Sequence, residues 1–551
     1  MERRRSPKEN SLTLISRRIL ASSLVLAFTA TIAWAGPERL SSELQAARPT
    51  GKVDVIVRYK SPLSEAHHRR MANMGGSLRR SFEGIQSAHY SIPRSALKAL
   101  AEDPDVEYVS LDRPVTGMLD ITRGAVHAEI ENALGFTGKG IGVAVIDSGI
   151  ADMPEFHNGW NSRIVFSASF VGGGASDAYG HGTHVAGIVG SNGSGGVYIG
   201  MAPGANLINL RALDANGNGT DSSVIQAIFT AIILKNQYNI RVLNLSLGRP
   251  VFEPASKDPL CLAVEAAWRA GIVVVVSAGN GGRDNSQGTN GYGTITAPGN
   301  DPYVITVGAM NTKGTTDRRD DVITTYTSKG PTAFDSYAKP DIVAPGNKIV
   351  STLPAGLTLS NEYPQNQVSP DFFSLSGTSM ATPVVSGAAA LLLQKNPNLT
   401  PDQVKARLMR NATKNFPAFT VTFDPTTNAT YTDYYDVFTV GAGYLDIRAA
   451  MDDTVLSSGW ALSPTAVLNP TNHQILLSGV DGQNVVWGEN VVWGANVVWG
   501  AGNVHGNNMV WGGNVIAGPA KVILNNVVWG ANVVWAAGAP LSDLTQIVGE
   551  P

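Results

Sequence analysis

The sequence predicts an α/β protein. A largely parallel sheet is covered by helices on both faces, a small α+β unit precedes it, and a β-rich repeat tail follows it. Three observations predict this. Continuous apolar runs alternate with helical patterns from Gly140 onward. Shorter alternating runs fill residues 52 to 112. Tryptophans then recur at multiples of six near the far end.

The chain has 551 residues, enough for several domains at about 100–200 residues each. It carries 41 basic and 44 acidic side chains, a balance that leaves no electrostatic footprint for nucleic acid. Its one cysteine, Cys261, excludes an intramolecular disulfide and reads as a small buried hydrophobe in an apolar helix.

The N-terminal segment reads as an export signal. Arg3, Arg4, Arg5, Arg17 and Arg18 precede an apolar run from Ile19 to Ala33, and Ala33-Trp34-Ala35 is a small-x-small cleavage pattern. The run is too short for a stable membrane span. Residues 1–35 are expected to be removed after Ala35, giving a secreted, extracellular protein. Ser16-Arg17-Arg18 also fits a twin-arginine signal, so the general secretory and twin-arginine routes both stay open.

Residues 52 to 112 read as strand (Val53 to Tyr59), helix (Ser64 to Met74), strand (Ala88 to Ile92), helix (Ser95 to Ala101) and strand (Val106 to Ser110). Beyond Gly140, strands are expected at 141–146, 207–210, 242–247, 272–277 and 304–307. Helices are expected at 181–189, 222–238 and 255–270. Such βα alternation argues for a parallel sheet buried on both faces, with functional groups at the carboxyl ends of its strands.

The tail is of another kind. Trp487, Trp493, Trp499, Trp511, Trp529 and Trp535 share one six-residue register, with His505, Ala517 and Ile523 on other beats. A hexapeptide repeat of the type Asn490-Val491-Val492-Trp493-Gly494-Ala495 runs over about 484–537. An even period keeps the same side chains on one face of a strand, and valine and tryptophan favour strands over disorder. A β-solenoid and a low-complexity linker are the alternatives.

Three separated motifs carry the chemistry. They are Val145-Ile146-Asp147-Ser148-Gly149, His181-Gly182-Thr183-His184-Val185-Ala186-Gly187 and Gly377-Thr378-Ser379-Met380-Ala381-Thr382-Pro383. A serine hydroxyl is a poor nucleophile near neutral pH. It needs an imidazole to take its proton and a carboxylate to hold that imidazole. The order Asp, His, Ser with these motifs resembles the subtilisin-like serine peptidases over roughly residues 120 to 450.

The resemblance implies a serine-type endopeptidase, a hydrolase that cleaves peptide bonds through an acyl-enzyme. It implies Ser379 as nucleophile, His181 as general base and then acid, and Asp147 as its orienting carboxylate. Asn280, closing Val276-Ser277-Ala278-Gly279-Asn280, and the Ser379 amide would form the oxyanion hole. Gly217-Asn218-Gly219 and Ser246-Leu247-Gly248 would pair with an extended peptide. The latter, with Ala278, Gly279 and Thr296, would wall the pocket for the residue before the scissile bond. No acid is evident there, so apolar or aromatic residues are expected in it. Ala297-Pro298 would be cis. His184 is read as a buried, hydrogen-bonded histidine rather than a metal ligand.

The resemblance further implies a zymogen. Residues 36–118 would be a prosegment acting as chaperone and intramolecular inhibitor, cut near Met118 or Leu119. Residues 119–452 would be the catalytic domain and 453–551 the C-terminal region. The alternative for the first unit is an ordinary attached domain. No cofactor is required for the chemistry. Relatives bind calcium through the loop Ser191 to Val197, but here it lacks carboxylates and Phe156 stands where an aspartate would help. Acidic loops such as Asp317 to Asp321 leave weak calcium binding open. Partners are protein or peptide substrates, and a monomer is expected. An alternative function is a surface-binding or structural protein whose repeat contacts glycan or cell surface.

Overall fold

The computed structural model describes residues 51–83, 86–111, 118–194, 197–468 and 475–478. It also describes 39, 40, 44, 549, 550 and five two-residue strand pieces between 492 and 515. The export signal expected at 1–35 and most of the repeat lie outside the described residues. The pieces at 492–493 and 497–498 pair antiparallel, as do those at 510–511 and 514–515. Two compact units divide between Val115 and Thr116.

The first unit is a four-stranded antiparallel sheet. Its strands are β1 (Lys52–Tyr59), β2 (Ser77–Phe82), β3 (Ser87–Pro93) and β4 (Val106–Leu111), in the order β2-β3-β1-β4. Helices α1 (Glu65–Asn73) and α2 (Leu97–Glu102) complete it. Val55, Val57, Tyr90, Ile92, Leu100 and Val109 form its core. The edge strand β2 went unread in the sequence because Ser77-Leu78-Arg79-Arg80-Ser81-Phe82 shows no buried alternation. Five of its six residues are exposed. An edge strand with one paired side can carry such a polar pattern.

The second unit opens with α3 (Met118–Ala125), so the Met118–Leu119 bond falls on the first residues of a helix. Its sheet holds β5 (Gly142–Asp147), β6 (Ile164–Ser169), β7 (Asn206–Arg211), β8 (Ile240–Leu245), β9 (Val273–Ser277), β10 (Ile305–Asn311), β11 (Val322–Ile323) and β12 (Ile342–Pro345). The order is β11-β10-β9-β8-β5-β7-β6, with β12 beside β10. Every pairing is parallel except β10 with β11. Strands β5 and β9 are buried at every position, as a strand covered on both faces must be.

The covering helices are α4 (His181–Gly190), α5 (Asp221–Tyr238), α6 (Pro259–Arg269) and α7 (Thr378–Lys395). α6 starts at Pro259, not Ala255, because the Asp258 carboxylate caps it and Pro259 fits a first helical turn. α7 is apolar or small all round and buried over most of its length, the pattern of a helix running through the core. The unit extends past the expected limit at 452. Ser463 donates to Asp341 at 2.6 Å, and the Ala466 amide reaches the Ser336 carbonyl at 2.7 Å. Among the described residues no helix is long and apolar enough to cross a membrane.

Candidate active site

Asp147 is the last residue of β5, and His181 is the first of α4. Their approach depends on Gly182. A Cβ there would lie 2.2 Å from the Gly149 carbonyl oxygen and 3.0 Å from Asp147 Cβ. Without one, the first turn of α4 rests on the turn after β5, and the Gly182 amide donates to Ser148 Oγ at 2.9 Å. His181 Nδ1 then meets Asp147 Oδ1 at 2.8 Å. The same oxygen accepts from the Ser148 amide at 2.8 Å. The carboxylate is fully buried and the imidazole is largely so.

A second carboxylate, unassigned in the sequence reading, supports this pair. Asp177 is buried and caps the start of α4. Its Oδ1 accepts from the Tyr179 and Gly180 amides at 3.0 and 2.8 Å, and its Oδ2 from the Thr183 amide and hydroxyl at 2.9 and 2.6 Å. An aspartate shortly before a helix start, with a threonine two residues after the histidine, was the signal that could have found it. Burial works against a cationic His181. The Asp147 carboxylate, by charge and hydrogen bond, and then Asp177 more than offset it, so the imidazole pKa lies above its ordinary value. His184, one turn on, is buried, and its Nε2 lies within 3.1 Å of the Ile349 and Phe373 carbonyl oxygens. Burial and the His181 charge push it down to about 3, so it stays neutral.

Ser379 is the second residue of α7, where backbone N–H groups have no helical partner. Pro383 stands four residues on and has no N–H to give the Ser379 carbonyl. The Ser246 hydroxyl supplies that donor at 2.8 Å, and the Ser379 hydroxyl donates to the Ser246 carbonyl at 3.1 Å. The serine is thus fastened to the end of β8 through both residues. Its O–H is directed to Ser246 and must turn away before it can donate elsewhere.

Asn280 follows β9 and faces the same helix start. Its Oδ1 accepts from the Thr378 amide at 2.9 Å and from the Thr378 hydroxyl at 3.1 Å. An amide N–H can only donate, so this contact fixes which way the Asn280 side chain is turned. Its Nδ2 is left facing Gly377. A Cβ added at Gly377 would lie 3.4 Å from that Nδ2 and 3.7 Å from the Ser379 nitrogen. Both nitrogens therefore lie within 3.7 Å of one point beside Gly377.

The expected pocket walls come together. The Ser277 hydroxyl holds the Leu247 carbonyl at 3.1 Å. Gly248 and Gly279 both back onto Thr296, where added Cβ atoms would lie 2.5 and 2.8 Å from its side chain. The Thr296 amide donates to Ala278 at 3.0 Å. Arg249 and Ala297 exchange backbone hydrogen bonds, and Ala297-Pro298 is cis. Gly217-Asn218-Gly219 form a loop closed by Asp214, whose Oδ1 accepts from the Asn218 amide at 3.0 Å. Gly217, at φ 76°, lies against the Tyr179 ring.

The Arg163 guanidinium is buried at the carboxyl end of α4. It donates to the carbonyls of Glu155 at 2.7 Å, Gly190 at 2.5 Å and Ala205 at 2.9 Å. These main-chain oxygens already serve a fixed cation, and a dication beside it would be repelled. Phe156 is fully buried in the core. Asp317 is paired with Arg319. Among the described residues no group of three or more His, Cys, Asp or Glu side chains converges as a metal site would require.

Residues 138–432 match the subtilase family, Peptidase_S8. The chain belongs to the subtilase family. It is 38% identical over 383 residues to the serine protease AprX of Bacillus subtilis (strain 168), covering 66% of this chain and 83% of the relative. To subtilisin NAT of Bacillus subtilis subsp. natto it is 35% identical over 375 residues, covering 65% of this chain and 84% of the relative. To subtilisin DY of Bacillus licheniformis it is 37% identical over 291 residues, covering 52% and 89%. This subtilase is a serine-type endopeptidase, and its substrates are proteins or peptides.

Proposed function

We propose that this subtilase is a secreted endopeptidase, made as a zymogen, whose Ser379, His181 and Asp147 form the catalytic triad. Ser379 turns from Ser246 and attacks the peptide carbonyl. His181 takes its proton through Nε2 and delivers it to the leaving amine. Asp147 holds Nδ1–H and stabilises the imidazolium. The Asn280 side chain and the Ser379 amide bind the oxyanion. Water then resolves the acyl-enzyme through the same histidine.

The observation that carries the reading is the 2.8 Å bond from His181 Nδ1 to Asp147 Oδ1. It leaves Nε2 to meet the hydroxyl. Ser379→Ala should abolish both reaction with a fluorophosphonate and self-processing; continued self-processing in that variant would end the assignment.

On this reading residues 1–35 direct export, 36–118 form an inhibitory prosegment, and 119–452 with the strand at 465–468 form the enzyme. The pocket walled by Ser246-Leu247-Gly248, Ala278-Gly279 and Thr296 takes an apolar or aromatic residue. A peptide panel tests this, and a strong preference for arginine would refute it. The protease acts as a monomer and requires no metal for its chemistry. The repeat at about 484–537 is a β-rich attachment module for glycan or cell surface. Replacing 484–537 with a short flexible linker should spare hydrolysis and abolish attachment.

A further inference from the structure

Far beyond the last core strand, Gly549 and Glu550 return to the catalytic unit. Glu550 is 1% exposed. Its Oε1 accepts from the Thr325 amide at 2.9 Å and from Arg283 at 3.1 Å, and also from the Thr325 hydroxyl. Its backbone is read in both directions by one side chain. The Glu550 amide donates to Asn347 Oδ1 at 2.8 Å, and Asn347 Nδ2 donates to the Glu550 carbonyl at 3.0 Å. The preceding residue must be glycine. At φ 79°, a Cβ on Gly549 would lie 2.6 Å from Ser376 Oγ and 2.6 Å from Lys348 Cγ.

The slot is itself held in place. Arg283 also donates to Asp424 at 2.6 Å and lies 4.4 Å from the Tyr431 ring centroid. Those residues belong to the hairpin of β13 (Phe419–Asp424) and β14 (Ala429–Tyr434). Ser376 Oγ accepts from the Lys348 amide at 2.8 Å, and the Gly377 amide donates to Gly346 at 2.8 Å. Two of the walls are thus Arg283, three residues beyond Asn280, and Ser376, three residues before Ser379; Thr325 and Asn347 are the others.

We infer that the catalytic unit carries a built binding slot for an acidic Gly-Glu peptide segment, which this chain's own Gly549-Glu550 fills, so that the repeat is closed into a loop anchored at both ends. The near anchor is the strand at 465–468, where Thr465 bridges Tyr337. The far anchor is the Glu550 slot. The repeat, at about 484–537, lies between them in sequence. An occupant without the carboxylate would leave the Thr325 amide short of an acceptor, and one without the glycine would not seat. This inference does not depend on the triad assignment, because its test reads the tail and not the chemistry.

The test is hydrogen exchange on the full chain, with Glu550→Ala and Glu550→Gln beside it. The Glu550 and Thr325 amides should be protected in the wild type and exchange at least about tenfold faster in Glu550→Ala. Glu550→Gln retains an acceptor but not the charge, so its protection should fall between the two. The amide of Val143 in β5 should stay protected in all three, which shows the fold intact. A mild protease that nicks the repeat gives a second reading. By native mass spectrometry the fragment carrying 549–550 should stay with the catalytic unit in the wild type and leave it in Glu550→Ala. Equal exchange in wild type and Glu550→Ala, or loss of the fragment from both, would overturn the inference.

Discussion

Replacing Gly182 with alanine should separate His181 from Asp147 while leaving the fold largely intact. The new Cβ would sit 2.2 Å from the Gly149 carbonyl oxygen, a backbone atom that no rotamer change can move. A relaxed carbon–oxygen contact lies near 3.3 Å, so the first turn of α4 must retreat by about 1 Å. That retreat acts directly on the 2.8 Å bond between the two side chains. A misplacement of about 1 Å costs on the order of 100-fold in rate when reacting groups must be aligned. Stability should change less. Overpacking costs about 1–3 kcal/mol, and alanine returns about 1 kcal/mol of helix propensity over glycine. The assay is kcat/KM on a chromogenic peptide, with the thermal midpoint measured on the same sample. The expected result is a loss of about 100-fold with a midpoint within a few degrees of the wild type. Activity within about threefold of the wild type in a folded Gly182→Ala protein would refute the claim that this contact sets the pair's geometry.

His181 must be neutral to accept a proton, and its pKa lies above the ordinary value, so kcat/KM should fall as pH drops through a point above 6.5. Asp177→Asn removes one of the charges that raise it and should move that acid limb to lower pH; an unmoved limb in a folded variant would exclude an electrostatic role for Asp177. Asn280→Ala should lower kcat by about 100- to 1,000-fold with little change in KM, a magnitude known from a subtilisin itself; a change confined to KM would remove Asn280 from the oxyanion hole. Arg163→Met should lower stability by about 3–5 kcal/mol because three buried carbonyls lose their donor, and added calcium should not restore the melting temperature. Full recovery with calcium would show that these three carbonyls form a metal site from which the guanidinium had excluded the ion.

The parallel sheet was legible because strands such as Val273-Val274-Val275-Val276 are buried on both faces and therefore apolar without interruption. The site motifs were legible for a related reason. Asp147, His181, Asn280 and Ser379 each sit where an element begins or ends, and those positions carry local glycine and proline constraints that short motifs record. The Ala255 start of α6 was misread because its composition suits a helix, while the cap that decides the boundary is the Asp258 side chain. The polar edge strand β2 left no pattern, since among the described residues one of its edges has no partner and most of its side chains meet water.

By itself the sequence determined the βα alternation of the core, the three short motifs and the family resemblance, because each is written in periodicity or in a short motif. Only the tertiary structure decided that Ser246 supplies the donor Pro383 cannot give, that Arg163 ties the Gly190 and Ala205 carbonyls together, and that Glu550 returns to a slot between Arg283 and Asn347. Each of these is a hydrogen bond or charge between residues distant along the chain. Linear spacing cannot record them, because the partner is chosen by where the sheet and helices bring it in space.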